Sequence, residues 1–465
     1  MTVVRKREVS RDLVALHTLL RRSVFDPNRH DTEKLSSMPS LADPFTLPCG
    51  ATLKNRIAKA AMTEQLADAD GKPNVRHIRL YERWSEGGAG LLITGNVQVD
   101  RKHLEHPANV VIDGNQGDGR MKALRAFADA AQTHGAKAIM QISHAGRQTP
   151  AVVNPTPLAP SAIELGLPGS TFGKPKAMTA AQLNDVESRF AYAAKIAAET
   201  GFAGVQIHAA HGYLLSSFLN PRANKRQDPY GGKLAGRAKL LLRIVERIRA
   251  EAPKGFIVSV KLNSSDFQKG GLSTEDSLTI CGWLAERGVD LLEISGGNYE
   301  QPAMMDLNGL EKKHEEAKAE STKKREAYFL EFAEAVRTKS TMPLMVTGGF
   351  RTKTGMDEAL SSGACDVVGI ARPLCVKPAL PNALLSGEEE SVPSYEKHLR
   401  IGPGIFSPQS PFNLMKMLNG FAIMAFFYTN IERMADGQEP TETMNIFGAF
   451  VKGQRQMVKK AKALL

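Results

Sequence analysis

The chain has 465 residues, 42% of them hydrophobic, which is enough apolar material for one large core or two ordinary ones. Its net charge is +11, but the lysines are not interleaved with aromatics, so the charge reads as a solvated basic surface that attracts phosphorylated cofactors, with no nucleic-acid partner. Four cysteines (Cys49, Cys281, Cys365, Cys375) form no CxxC pair, which argues against a zinc knuckle, an iron–sulfur cluster or a disulfide framework and favours a reducing compartment.

Residues 1–40 make a basic extension. Val9, Leu13, Leu16, Leu20 and Val24 fall at helical spacing, so an amphipathic helix is expected. A mitochondrial presequence would look similar, but Glu8 and Asp12 count against it, and the expected compartment is cytoplasmic. Eight short apolar runs follow: Arg56–Met62, Gly90–Thr94, Lys137–Ile142, Ala203–Ile207, Phe256–Leu262, Val289–Ile294, Pro343–Thr347 and Asp366–Ile370. Amphipathic stretches lie between them, at Met121–His134, Ala180–Thr200, Ala235–Ala252, Glu275–Arg287, Lys324–Lys339 and Thr354–Ser362. Strand and helix repeated eight times predict an α/β fold, a (β/α)8 TIM barrel over residues 41–380. A doubly wound sheet is the second choice, weakened because no GxGxxG follows the first strand. The charged run Glu311 to Glu326 reads as a solvated loop or lid. Residues 381–465 form a C-terminal helical extension. Its run Phe421 to Tyr428 is too short to span a bilayer, so a helix packed on the barrel or on a second subunit is expected, with no membrane contact.

Barrel enzymes build their sites where the strands end. Strand one ends in Ala61-Met62-Thr63, where a hydroxyl can meet a ligand carbonyl or cap a turn. Strand two ends in Thr94-Gly95-Asn96, and Gly95 permits close approach of a flat ring. Gln141, near the end of strand three, offers an amide that donates and accepts at once, suited to a ring edge with an N–H beside a C=O. His144 and Arg147 beyond it read as a structural network. Strand four ends in His208-Ala-Ala-His211-Gly-Tyr213. The two histidines lack a third metal ligand at suitable spacing, so no metal is expected. They are core histidines or donors to a substrate oxygen, with Tyr213 as general acid. Lys261 sits on the otherwise buried strand five and needs a partner, either an acid such as Glu293 on the next strand end or a bound group. Strand six contributes Ser295-Gly-Gly297. Strands seven and eight end in Thr347-Gly348-Gly349-Phe350 and Gly369-Ile-Ala371-Arg372, a pattern that suits a phosphate gripped by backbone N–H groups and one arginine.

His208-Ala-Ala-His211-Gly-Tyr213, with Phe218-Leu-Asn-Pro221, Asn224-Lys-Arg226 and Asp228-Pro-Tyr-Gly-Gly232, resembles the old yellow enzyme family of FMN-dependent ene-reductases, the NADH:flavin oxidoreductase type. The resemblance covers roughly Leu41 to Pro378. It implies FMN as cofactor and NADH or NADPH as donor, with an activated alkene (an enone, enal or nitroalkene) as the small-molecule substrate. It implies that Thr63 meets the flavin C4 carbonyl, Gln141 the pyrimidine edge, and Lys261 the N1 and C2 carbonyl region. His208 and His211 would then hold the substrate oxygen while Tyr213 protonates. Larger members carry a cysteine cluster for iron–sulfur binding, which this chain lacks, so the donor is expected to reach the barrel directly. A homodimer fits this reading. Three other functions remain open: a flavin-dependent amine or N-methyl dehydrogenase, a phosphate-binding barrel lyase or isomerase with Lys261 as a Schiff base, and a flavin-binding interaction module without turnover.

Overall fold

The structure, a computed structural model, describes residues 38–166, 171–295 and 331–463. Eight parallel strands form its centre: β1 (Ile57–Lys59), β2 (Leu91–Ile93), β3 (Lys137–Ser143), β4 (Gly204–Ala209), β5 (Ile257–Asn263), β6 (Leu291–Ser295), β7 (Leu344–Thr347) and β8 (Val367–Ile370). Each pairs with the next, β8 pairs with β1, and the barrel closes. The strands are buried on both faces, so their sequences are near-continuous apolar runs instead of alternating ones.

Alternation still decides which side chains point inward. Ala58, Ala60, Leu91, Ile93, Ile139, Ile257, Leu291, Met345 and Val367 form one cluster inside the barrel. Leu47 and Leu53 join that cluster from a short hairpin, Phe45–Thr46 against Thr52–Leu53, which plugs the end where the strands begin. Counting on by two places Gln141 and Ser143 on the face of Ile139, Lys261 on that of Ile257 and Glu293 on that of Leu291. The apolar half of the interior therefore gives way to a polar half where the strands end.

Helices cover the outside: α1 (Val75–Glu86), α2 (Gly117–Gln132), α3 (Ala180–Glu199), α4 (Leu234–Glu251), α5 (Thr274–Glu286) and α6 (Lys353–Ser361). Their apolar faces recur at three and four residues. In α4 the buried set includes Leu241, Ile244, Val245 and Ile248. Two of these helices start with capping boxes, Asn74 with His77 and Thr179 with Gln182.

One departure from the sequence reading matters, and the C-terminal extension packs as expected. Residues after β2 add two short strands to the barrel edge: Val97–Gln98 pairs with Ile142 and Ser143, and Val110–Val111 pairs with Val97–Gln98. The loop between them carries residues 99–109 past the end of β3. The C-terminal helices, α7 (Asn413–Ala435) and α8 (Ile446–Lys462), pack back on the barrel. Phe426 and Phe427 of the apolar run are buried, as a packed helix requires. Arg76 of α1 forks onto Asp436 at 2.7 and 2.9 Å, and Lys460 of α8 donates to the Gln65 carbonyl at 2.8 Å. Among the described residues no helix is long and apolar enough to cross a membrane. The basic extension to residue 37, the charged run Glu311 to Glu326, the glycines Gly296 and Gly297, and the first part of Lys324–Lys339 lie outside the described residues.

Candidate active site

The site is built at the ends of the strands, and strand register assembles it. Gln206 lies opposite Gln141, Lys261 opposite His208, and Glu293 opposite Lys261. One polar chain results. Gln141 Nε2 donates to Gln206 Oε1 at 2.6 Å, and Gln206 Nε2 donates to Glu293 Oε2 at 2.9 Å. Lys261 Nζ lies 2.8 Å from Glu293 Oε1, with the side chains 6% and 0% exposed. That oxygen has no aligned hydrogen bond, so this contact is an ion pair of charges more than a directed bond. The acid expected as a partner for Lys261 is thus the one present, and the same lysine still borders the site.

His208, His211 and Tyr213 converge as well. The His208 ring sits edge-on to Tyr213 at 4.9 Å and to His211 at 5.1 Å. His208 Nδ1 accepts from the Ala210 N–H at 3.2 Å, which leaves Nε2 to carry the ring hydrogen. His211 Nε2 meets Ser295 Oγ at 2.6 Å. His211 has φ 63, a left-handed backbone rare outside glycine, which breaks the strand and turns its ring back over the barrel. Burial first, with the Lys261 charge adding to it, pushes both histidines well below the usual imidazole range. They are neutral donors at ordinary pH.

Thr63 and Asn96 are gathered by a residue that the sequence reading did not name. Glu105, on the loop after β2, accepts the Thr63 hydroxyl, Asn96 Nδ2 at 2.6 Å and the Tyr213 hydroxyl. The Thr63 hydrogen is therefore directed at Glu105, not at a ligand carbonyl. Gly95 lets the loop after β1 lie close, since a Cβ there would come within 2.4 Å of Glu64 Oε2 and 2.5 Å of the Met62 carbonyl. Gly95 N–H donates to Glu64 Oε1 at 2.7 Å. Met62 itself packs with its Sδ 3.4 Å from Cys375 Sγ, while Ala61 and Ala371 line the interior cluster.

Gly348 and Gly349 take left-handed φ values of 86 and 92, and the space beside Gly348 is open. Arg372 starts a short 3-10 turn beside them, with Nη2 3.6 Å from Glu396, which Arg351 also approaches at 3.4 Å. Arg351 escaped the sequence reading. His144 belongs to a network as expected. His103 Nδ1 bonds Asp100 at 2.7 Å, and the His144 ring stacks on His103 at 4.3 Å. Two stacked rings cannot both aim an in-plane nitrogen at one ion. His103 Nε2 and His144 Nδ1 already accept from the Leu158 and Gly146 N–H groups.

These residues fit a flavin mononucleotide. The polar chain ends in an amide and an ammonium suited to the pyrimidine edge. Thr347 Oγ1 and Asn96 Oδ1 are buried without hydrogen-bond partners. Two left-handed glycines with two arginines suit a phosphate.

Residues 40–390 match the NADH:flavin oxidoreductase / NADH oxidase family. The chain is 40% identical over 354 residues to the NADH-dependent flavin oxidoreductase iliE of Neonectria sp. (strain DH2), covering 73% of this chain and 46% of that protein. It is 38% identical over 362 residues to the protein of the same name from Hypocrea jecorina (strain QM6a), covering 74% of this chain and 89% of that one. It thus spans about half of the first relative and most of the second. Among solved structures, morphinone reductase superposes with a TM-score of 0.61 at 23% identity, over 77% of this chain and 93% of that one. An old yellow enzyme homologue from Zymomonas mobilis gives 0.62 at 24%, over 76% and 94%. At such identities these structures speak for the barrel fold.

Proposed function

This chain belongs to the NADH:flavin oxidoreductase / NADH oxidase family, FMN enzymes that draw hydride from NADH or NADPH, and we propose that it reduces activated alkenes such as enones, enals and nitroalkenes. The observation that carries this reading is the meeting of two neutral histidines and one tyrosine at a single barrel mouth. FMN, when bound, supplies the hydride for the β-carbon. The protein's own residues do the rest.

His208 presents the hydrogen on Nε2 to the substrate's carbonyl or nitro oxygen, and His211 stands beside it. A neutral donor polarises that oxygen without neutralising the negative charge that develops there. Tyr213 gives its hydroxyl proton to the α-carbon, as a phenol matched to a carbanion formed beside it. Gln141 and Lys261 hold the pyrimidine edge, and Gln206 and Glu293 fix their orientation. Asn96, Ala61, Met62 and Thr63 line one side of the ring. Gly348, Gly349, Ala371 and Arg372 grip the phosphate. Donor and acceptor use one pocket in turn, which gives ping-pong kinetics.

Stopped-flow measurement of the two half-reactions tests this with Tyr213→Phe. Flavin bleaching by NADH or NADPH stays near wild type, because that step needs no tyrosine proton. Enone reduction falls by about 10²–10⁴-fold, the usual contribution of a general acid. Slow bleaching with normal enone turnover would make Tyr213 a packing residue.

A further inference from the structure

Glu105 stands on the loop after β2 and on no strand of the site, yet its carboxylate meets three residues of the proposed machinery. Oε2 accepts the Tyr213 hydroxyl and Asn96 Nδ2 at 2.6 Å. Oε1 accepts the Thr63 hydroxyl and Asn109 Nδ2 at 3.4 Å. All four are donors, and all four are uncharged. This is an arrangement for an ionised carboxylate whose charge is spread over hydrogen bonds alone. Burial pushes the carboxyl above its usual range, and these bonds act against that push.

We propose that Glu105 is the positioning residue for the proton donor: it keeps Tyr213 in its phenol form and shares with it the proton that restores the tyrosine after each turnover. This rests on the reading of Tyr213 as general acid. When Tyr213 protonates carbon, its O–H bond breaks as the substrate C–H bond forms. The phenolate then faces a carboxylate within hydrogen-bond distance. Two such anions cannot both stay ionised, and they titrate as one pair. The pair takes one proton from water, the Tyr213 O–H re-forms, and Glu105 ends ionised as it began. No electron moves in this exchange.

Among the described residues, Glu105 is the charged group bonded to the Tyr213 hydroxyl. His208 lies edge-on to Tyr213 at 4.9 Å and is neutral, as is His211 behind it. Lys261, beyond them, is paired with Glu293. On the Glu105 loop, Asp100 is bonded to His103, and burial pushes His106 down to about 3, so it carries no charge in the range that matters.

The test follows the Tyr213 ring directly, in holoenzyme carrying tyrosine labelled with carbon-13 at Cζ. The Tyr213 signal is assigned by its loss in Tyr213→Phe. In the wild type it keeps its phenol position past pH ~10, the ordinary tyrosine value. In Glu105→Gln the phenolate appears roughly 1–3 pH units lower, the shift a close charge produces. The alkaline limb of enone reduction moves down by the same amount. A merely structural Glu105 would instead lower the rate by one factor at every pH. A wild-type phenolate at or below pH ~10, or the same titration in both proteins, overturns the proposal. The wild-type titration decides even where the variant does not fold. If Tyr213→Phe reduces enones at the wild-type rate, the general-acid reading falls, while the titration still reports on the pair.

Discussion

Lys261→Met removes one charge from a buried pair and nearly keeps the side-chain volume. Lys261 Nζ is 2.8 Å from Glu293 Oε1, and the glutamate is fully buried. Its other oxygen keeps the Gln206 amide at 2.9 Å, one neutral donor for a full charge. Stranding a buried charge in this way costs about 3–5 kcal/mol, so urea unfolding of the flavin-free protein at neutral pH loses that amount. Lys261→Met/Glu293→Gln carries no charge and still offers Gln206 an oxygen, so it recovers most of the loss. A deficit below about 1 kcal/mol, or a double variant no more stable than the single, would refute the buried ion pair.

Arg372→Ala weakens FMN by roughly ten- to a hundred-fold, the worth of a charged hydrogen bond of ~1.5–3 kcal/mol, and leaves riboflavin affinity unchanged. Equal losses for both ligands, read by flavin fluorescence, would remove Arg372 from the phosphate. Gly95→Ala drives its Cβ to 2.4 Å from Glu64 Oε2 and 2.5 Å from the Met62 carbonyl, so the loop bearing Thr63 moves, FMN binds more weakly and about 1–3 kcal/mol of stability is lost. Gly282→Ala in α5 meets nothing within 4 Å and serves as the control, with unchanged FMN affinity and a gain of about 0.4–1 kcal/mol. His77→Gln keeps a side chain able to accept the N–H that Asn74 now gives to His77 at 3.3 Å, but removes a histidine that burial pushes down to about 3. The unfolded chain takes up that proton first, near pH ~6.5. Stability from the neutral ring is thus present above that value and lost as pH falls. The variant flattens the stability–pH curve between about pH 6 and 4 by ~1.4 kcal/mol per unit, and identical slopes would contradict this.

The barrel was legible because strands buried on both faces must be apolar throughout. The run Phe256–Leu262 lies within one residue of Ile257–Asn263 for that reason. Helix starts were harder. The expected Met121–His134 begins at Gly117, whose Gly-Asp-Gly opening reads as a turn and whose N-cap, Gln116, makes no side-chain capping bond. The added strands Val97–Gln98 and Val110–Val111 are two residues long and leave no periodicity to find. The Lys261 partner could be reasoned out, since a lysine in a buried strand calls for an acid at the same level. Gln206 leaves a signal, an amide inside the apolar run Ala203–Ile207. Glu105 left none. Its partners Thr63 and Tyr213 lie 42 and 108 residues away, and only the chain's path over the barrel brings them together.

Kinship and mechanical integrity have different borders in this chain. The span shared with the family ends at residue 390, while Lys460 reaches back to the Gln65 carbonyl, two residues past Thr63. Gln65 holds a left-handed backbone, φ 62, that a side-chain-bearing residue keeps only under constraint. A chimera cut at the end of the shared span would inherit every residue proposed for chemistry and leave their brace behind. Grafting the α8 helix along with the barrel is the route by which such a hybrid would keep the first loop in register with the flavin.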